Sequence, residues 1–384
     1  MILKELSTGD MVTAENFAIK IHFIQKRNVL STCAANGGYR ENLSDVYNYD
    51  SSHNQTMYSE MKAATLEEHM NVITREVGLN PDTATGMCTA AQMKNVSIKE
   101  LSYDEVTVTA IVTGGINING GRVGDEASWQ EKGDRIISLI HGTINIILVI
   151  DAVLSEGVLA GALMTVTEAK VAAIQELLLP SRYSMGIATG SGTDKIIIIA
   201  NPTAKERQTD AGKHSKLGEL IGKTVIAAVK EALDKQTSAN SVTQHSVLNR
   251  IERFGVTKES IIDYLFLQDK YKNSRSSQQE ELAEVIKKRQ QVEALLDSID
   301  KRPELVTYTS LYAHLIDQFM WGLLEKEEVL DAAQKLLNLM DSRSSKITYD
   351  FISMAKENEV IQLLQYQFKW KIVSILFEDI NLAY

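Results

Sequence analysis

The sequence predicts an α+β layered sandwich, a mixed sheet with packed helices, followed by an all-α C-terminal domain. Three observations carry this. Of the 22 glycines in 384 residues, 21 lie within residues 1–255 and only Gly322 lies beyond. Tight turns and strand ends use glycine, whereas a helix interior loses about 1 kcal/mol for each one it contains. Apolar runs of strand length, Ile144–Ile150 and Ile196–Ala200, occur only in the glycine-rich part. Strands arriving in pairs between helices favour layers over strict alternation. A doubly wound α/β first domain is the alternative.

Strands are expected at Phe17–Gln25, Asn28–Cys33, Glu105–Val112, Thr143–Ile150 and Lys195–Asn201. Val106, Val108 and Ala110 alternate with Thr107, Thr109 and Ile111, the period of a half-buried strand. Ile196–Ile199 is unbroken isoleucine, as in a strand buried on both faces. Helices are expected at Met57–Val77, Ser155–Leu178 and Leu217–Leu233. The second is rich in Gly and Ala, which lets it lie close against a sheet. Beyond a polar connector at Asp234–Gln244, Leu282, Val285, Ile286, Val292, Leu295, Leu296 and Ile299 follow the spacing of a one-sided helix. Leu305–Leu324, Val329–Met340 and Val360–Phe377 continue that pattern. The expected division is residues 1–240 and 245–384, with Trp321, Phe368 and Trp370 in the second core.

Composition excludes several function classes. A net charge of −10 without a basic stripe argues against nucleic acid. The basic run Lys287, Lys288 and Arg289 sits on an acidic helical stretch and is expected to be a solvated face. The most apolar window, Ile136–Leu154, is broken by His141, Thr143, Asn145 and Asp151, short of a membrane span. With two cysteines, Cys33 and Cys88, and no apolar signal core, a reduced cytoplasmic protein without membrane contact is expected. The seven histidines show no metal-ligand spacing, so no metal and no cofactor are expected. Oligomeric state is not legible.

Residues with chemistry cluster around glycine turns. Asp194 follows Thr189, Gly190, Ser191, Gly192 and Thr193, a turn whose N–H groups suit an oxyanion. Glu168 lies on the small-residue helix, and His214 follows another glycine turn. A carboxylate base with a water nucleophile, and Glu168 or His214 as acid, is the economical scheme for hydrolysis with these groups. Each has a plainer reading. Asp194 caps a turn, Glu168 joins Lys170 and Glu176 on a solvated helix edge, and His214 or Ser215 caps a helix. Ser191 or Thr193 as nucleophile lacks a G-x-S-x-G elbow. A processed Thr143 after Gly142 would open a strand-like run, and Cys88 reads as a buried structural thiol. His53, in a polar loop, is expected to touch nothing. Asn36, Gly37 and Gly38 form a candidate amide-recognition turn. Thr143 and Asn145 share one strand face, and buried there they need partners.

These pieces, in order, resemble the adenosylcobinamide amidohydrolase family across roughly residues 15 to 235. The matching segments are N-G-G at Asn36–Gly38, G-M-C-T-A-A at Gly86–Ala91, and T-G-G-I-N-I-N at Thr113–Asn119 with Gly124 and Asp125. T-E-A-K at Thr167–Lys170, A-T-G-S-G-T-D at Ala188–Asp194 and G-K-H-S-K-L-G-E-L-I-G at Gly212–Gly222 complete the set. The resemblance implies a hydrolase of corrinoid salvage in cobalamin biosynthesis. It would cut the aminopropanol amide of adenosylcobinamide, releasing adenosylcobyric acid and 1-amino-2-propanol, with the corrinoid as substrate and not as cofactor. The rival reading is a non-catalytic corrinoid-binding module whose helical part docks a partner.

Overall fold

The computed structural model describes residues 1–53, 61–127, 143–270, 278–340 and 359–382, with backbone alone at 267–270, 278–285 and 379–382. It divides into two units, Met1–Asn240 and Ser241–Tyr384.

Two mixed sheets make up the first unit. One has the order β1 (Ile2–Glu5), β2 (Met11–Glu15), β3 (Ala18–His22), β6 (Asp45–Asp50), β7 (Ala84–Thr89). The other runs β5 (Gly38–Arg40), β4 (Asn28–Ser31), β13 (Lys195–Ala200), β11 (Ile144–Ile150), β9 (Val106–Gly114), β8 (Ser97–Tyr103). A two-residue pair, β10 (Gly120–Gly121) with β12 (Gly190–Ser191), stands apart. Among the described strands only β6 with β7 and β11 with β13 run parallel. Parallel neighbours need a long crossover, usually helical, and each pair has one: α1 (Leu66–Glu76) and α2 (Glu156–Glu176). The mostly antiparallel order departs from the doubly wound alternative.

Side-chain parity assembles the layers. On β11 and β13, Ile146, Leu148, Ile196 and Ile198 face α2 and α3 (Lys216–Thr237), meeting Ala162, Val166, Ala169, Val225 and Val229. The alternate residues Ile147, Val149, Ile197 and Ile199 face the other sheet, meeting Val12, Ile19, Ile21 and Val46. That sheet turns Tyr47 and Tyr49 outward onto Met70, Ile73 and Val77 of the α1 layer. The result is four layers, helix–sheet–sheet–helix. Central strands buried on both faces explain the unbroken isoleucine runs. Among the described helices only α2 is long and apolar enough to cross a membrane by composition, and its buried stripe covers the sheet.

Observed ends differ from the expected ones where polar contacts intervene. The first helix begins at Leu66 because Thr65 caps it through the Glu68 N–H. The expected start at Met57 falls outside the described residues. The expected connector is partly helical: Asp234–Thr237 completes α3, which ends at Ser238 in the left-handed region (φ 56°), and α4 (Ser241–Gln244) follows.

The second unit continues with α5 (Val247–Ile251), α6 (Lys258–Lys270), α7 (Gln278–Asp300), α8 (Pro303–Met320), α9 (Lys326–Met340) and α10 (Val360–Leu382). Its core includes Tyr312, Ile316, Leu337, Leu364 and Phe368, with a buried Arg253–Asp317 ion pair. Trp321 corrects the expectation of a core residue. It ends α8, is 49% exposed, and lies edge-on to His314, because Gly322 (φ 69°) turns the chain there.

Candidate active site

The glycine turn before β13 places one carboxylate at the end of the second sheet and surrounds it with donors. Asp194 Oδ1 accepts the Ile144 N–H at 2.9 Å and the Ser191 hydroxyl at 2.7 Å. Oδ2 accepts the Ser191 N–H at 3.1 Å and pairs with the Lys170 ammonium. A carboxylate presents about four lone-pair sites, and all four are in use. Lys170 is 7% exposed, so this is a largely buried pair. Gly190 makes it possible. A Cβ there would lie 2.3 Å from Asp194 Oδ2 and 2.7 Å from Lys170 Nζ.

Lys170 also lines a cavity of about 490 Å³ with Gly121, Arg122, Asp125, Tyr183 and Gly192. Gly192 has nothing within 4 Å of where a Cβ would stand. Burial alone would raise the Asp125 carboxyl, but hydrogen bonds from Ser181, Ser184 and the Arg122 N–H outweigh it and hold it below its ordinary value. The wall is therefore mixed in charge, with Arg122 and Lys170 against Asp125 and Glu126.

On the other side of the same strand ends lies a polar cluster between the sheets. Thr143 is 2% exposed, and its hydroxyl is 2.7 Å from that of Thr193. Asn145 Nδ2 donates to Asn48 Oδ1 at 2.7 Å and to the Cys88 carbonyl at 3.2 Å, while Asn48 Nδ2 donates to Thr113 at 2.7 Å. The shared face of Thr143 and Asn145 is thus the face toward the first sheet.

The expected site residues separate into groups. Asp194, Gly190, Ser191, Gly192, Thr193, Thr143 and Asn145 come together at these strand ends. Asn36 does not present its amide outward, because Nδ2 donates to the Pro81 and Ala84 carbonyls at 2.6 and 2.8 Å. Gly37 lies against the Cys33 carbonyl, and Gly38 opens β5 at φ 76°. Glu168 pairs with Lys213 on the surface at 2.8 Å. Two residues along a helix is a rotation of about 200°, so Glu168 faces away while Lys170 faces inward. His214 is exposed in the turn before α3. The start of α3 lies beside Tyr103 and Val106, and its end reaches the opposite end of the sheet, where Leu233 lies near Ile144. His214 and Asp194 are therefore at opposite sheet ends.

Lys170 itself escaped sequence reasoning, which grouped it with a solvated edge. Helical spacing carried the signal: it lies four residues after buried Val166 and three before buried Ala173. His53, expected to touch nothing, has Nε2 against the Tyr49 hydroxyl and its ring against Phe17.

A two-sheet layered domain whose strand ends carry a cavity of ligand size, with Lys170 in its wall, has the architecture in which rigid strand ends hold small-molecule sites. The chain belongs to the adenosylcobinamide amidohydrolase family, whose model matches residues 3–241. The match ends where the first unit ends. Among similar curated proteins, an uncharacterized protein of Methanocaldococcus jannaschii is 33% identical over 238 residues, 59% of this chain and 89% of the relative. The adenosylcobinamide amidohydrolase of Methanosarcina mazei is 32% identical over 177 residues, 44% of this chain and 74% of the relative. A solved structure of a Pyrococcus horikoshii protein is similar at a TM-score of 0.27 and 12% identity, over 57% of this chain and 76% of that one. That likeness is too slight to argue from.

Proposed function

We propose that the first unit hydrolyses the aminopropanol amide of adenosylcobinamide, giving adenosylcobyric acid and 1-amino-2-propanol, in a cytoplasmic corrinoid-salvage step. The observation that carries this, beside the family match, is that Lys170, held by its buried pair with Asp194, lines the cavity. Its volume of about 490 Å³ suits an amide-bearing side arm and leaves a macrocycle outside. Lys170 supplies positive charge where the amide oxygen becomes an oxyanion, assisted by N–H groups of the Gly190–Thr193 turn. Such preorganised donors are worth about 10²–10³ in rate each. Asp194, with every lone pair engaged, holds the ammonium, the turn and the start of β11 in one geometry. In this reading it is the anchor of the site rather than a free base. Glu168 and His214, the other acid–base candidates, stand away from it.

Incubating the purified chain with adenosylcobinamide and separating the products by chromatography tests this. Release of 1-amino-2-propanol with adenosylcobyric acid supports it. Recovery of intact substrate, with or without binding, refutes it.

A further inference from the structure

The cavity that Lys170 lines also carries two exposed apolar side chains in its wall. Val123 is 83% exposed and Tyr183 39%. Apolar residues scattered singly over a surface need no explanation. These two share one cavity, and their backbones are pinned. Asp125 Oδ2 accepts the Ser181 hydroxyl at 2.6 Å and the Arg122 N–H at 2.7 Å, and Ser181 Oγ accepts the Tyr183 N–H at 3.0 Å. The Val123 N–H donates to the Thr189 hydroxyl oxygen at 2.9 Å, and the Thr189 N–H to the Gly121 carbonyl at 2.8 Å. Gly121 pairs in turn with Gly190, the residue packed against Lys170 and Asp194. Because Gly121 has no side chain, the Tyr183 ring lies close over its backbone: a Cβ there would stand 3.4 Å from Tyr183 Cδ2. Val123 and Tyr183 are thus held in register with the buried ammonium. A ligand that covers them recovers their apolar surface from water and is spared the cost of ordering them.

We propose that Val123 and Tyr183 are specificity-determining residues for the corrin ring: one face of the macrocycle rests on them while its amide arm reaches into the cavity toward Lys170. The inference rests on the amide-hydrolysis reading above. It adds what the cavity alone does not supply, selection of a macrocyclic substrate over other amides. A volume of about 490 Å³ takes the arm and leaves the ring outside. There a flat conjugated macrocycle meets an aromatic ring and a branched aliphatic side chain, the surfaces on which such a face stacks. The ring is remote from the bond that breaks, so its contacts are the same in the ground state and the transition state. Binding of that uniform kind sets KM and leaves kcat alone.

The test is steady-state turnover of adenosylcobinamide by the full-length wild type, Val123→Ser, Tyr183→Ser, the double variant and Tyr183→Phe, with size-exclusion chromatography of each. Each serine is expected to raise KM about tenfold and the pair about a hundredfold, with kcat little changed. Tyr183→Phe keeps the ring and is expected to stay near the wild type. N-(2-hydroxypropyl)acetamide, which has the amide of the arm and no macrocycle, is expected to inhibit all five proteins with the same constant. Unchanged KM in the double variant overturns the proposal and leaves the hydrolase reading intact. So does a fall in kcat at constant KM, which puts the two side chains at the chemistry or in the fold. A KM raised as far by Tyr183→Phe assigns the effect to the hydroxyl and overturns the stacked face. Loss of a dimer in Val123→Ser at unchanged KM gives the surface to a second copy instead. Should Tyr183→Ser fail to fold, the exposed Val123→Ser decides alone. A wild type that binds adenosylcobinamide without cleaving it removes the hydrolase reading, and dissociation constants then replace KM in the same comparison.

Discussion

At the scale of single residues, one ion pair fixes the glycine turn before β13. Removing either partner of a buried pair strands a charge and costs about 3–5 kcal/mol. Asp194→Asn and Lys170→Met are therefore each expected to lose both stability and turnover. The double variant Asp194→Asn/Lys170→Met should regain much of the stability but none of the turnover. Denaturant unfolding and product assays on the three proteins check this, and a double variant as unstable as the sum of the singles would show that the charges do not couple. The cysteines offer a second expectation. Burial, the largest influence, pushes the Cys88 thiol up to about 11, and burial raises Cys33 as well. Only the thiolate reacts, so at pH 8 both should resist iodoacetamide in the folded protein and be labelled after denaturation, as read by mass spectrometry. Asp194 was legible as a carboxylate set at a glycine turn because glycines precede it. Its partner was not, because a lysine inside a helix reads as solvated until tertiary contacts bury it.

At the scale of elements, the unbroken isoleucine strands and the three long helices of the first unit were legible from periodicity. The strand β6, DVYNYD, was not. Its Asn48 and Asp50 are poor strand formers; Asn48 is held by Thr113 and Asn145 of the facing sheet, and Asp50 by Ser52 of its own turn. β7 hid likewise, since Gly86 looks like a turn. Its missing side chain instead makes room for the Tyr47 ring, 2.1 Å from where a Cβ would stand. The G-K-H-S-K-L-G-E-L-I-G segment has a structural account as well. Ser215 caps α3 by accepting the Gly218 N–H at 3.0 Å and donates to the Gly212 carbonyl at 2.8 Å. A Cβ on Gly218 would lie 1.9 Å from that carbonyl oxygen. Ser215→Ala is expected to cost about 1 kcal/mol of stability and Gly218→Ala more. His214→Ala should leave both stability and turnover near the wild-type level. Thermal melts and initial rates check the set, and a strong turnover loss in His214→Ala would return that histidine to the catalytic list.

At the scale of the whole molecule, the division between Asn240 and Ser241 coincides with the end of the family match. Every residue given a role in the site precedes it. A chain ending at Asn240 is therefore expected to fold and to keep hydrolysing adenosylcobinamide. Circular dichroism, size-exclusion chromatography and product analysis check this. A compact truncation without turnover would show that the helical unit contributes to the reaction. The order of strands in the second sheet has a consequence for how the first unit comes into being. β4 lies near the start of the chain but pairs with β13, and Thr32 bonds Ile196 across 164 residues. Contacts so distant in sequence slow folding, since the loop must close before pairing rewards it. On the ribosome, the earliest strands of that sheet must wait with unsatisfied edges until about five-sixths of the unit has emerged. Nascent chains shorter than that are natural clients for a chaperone.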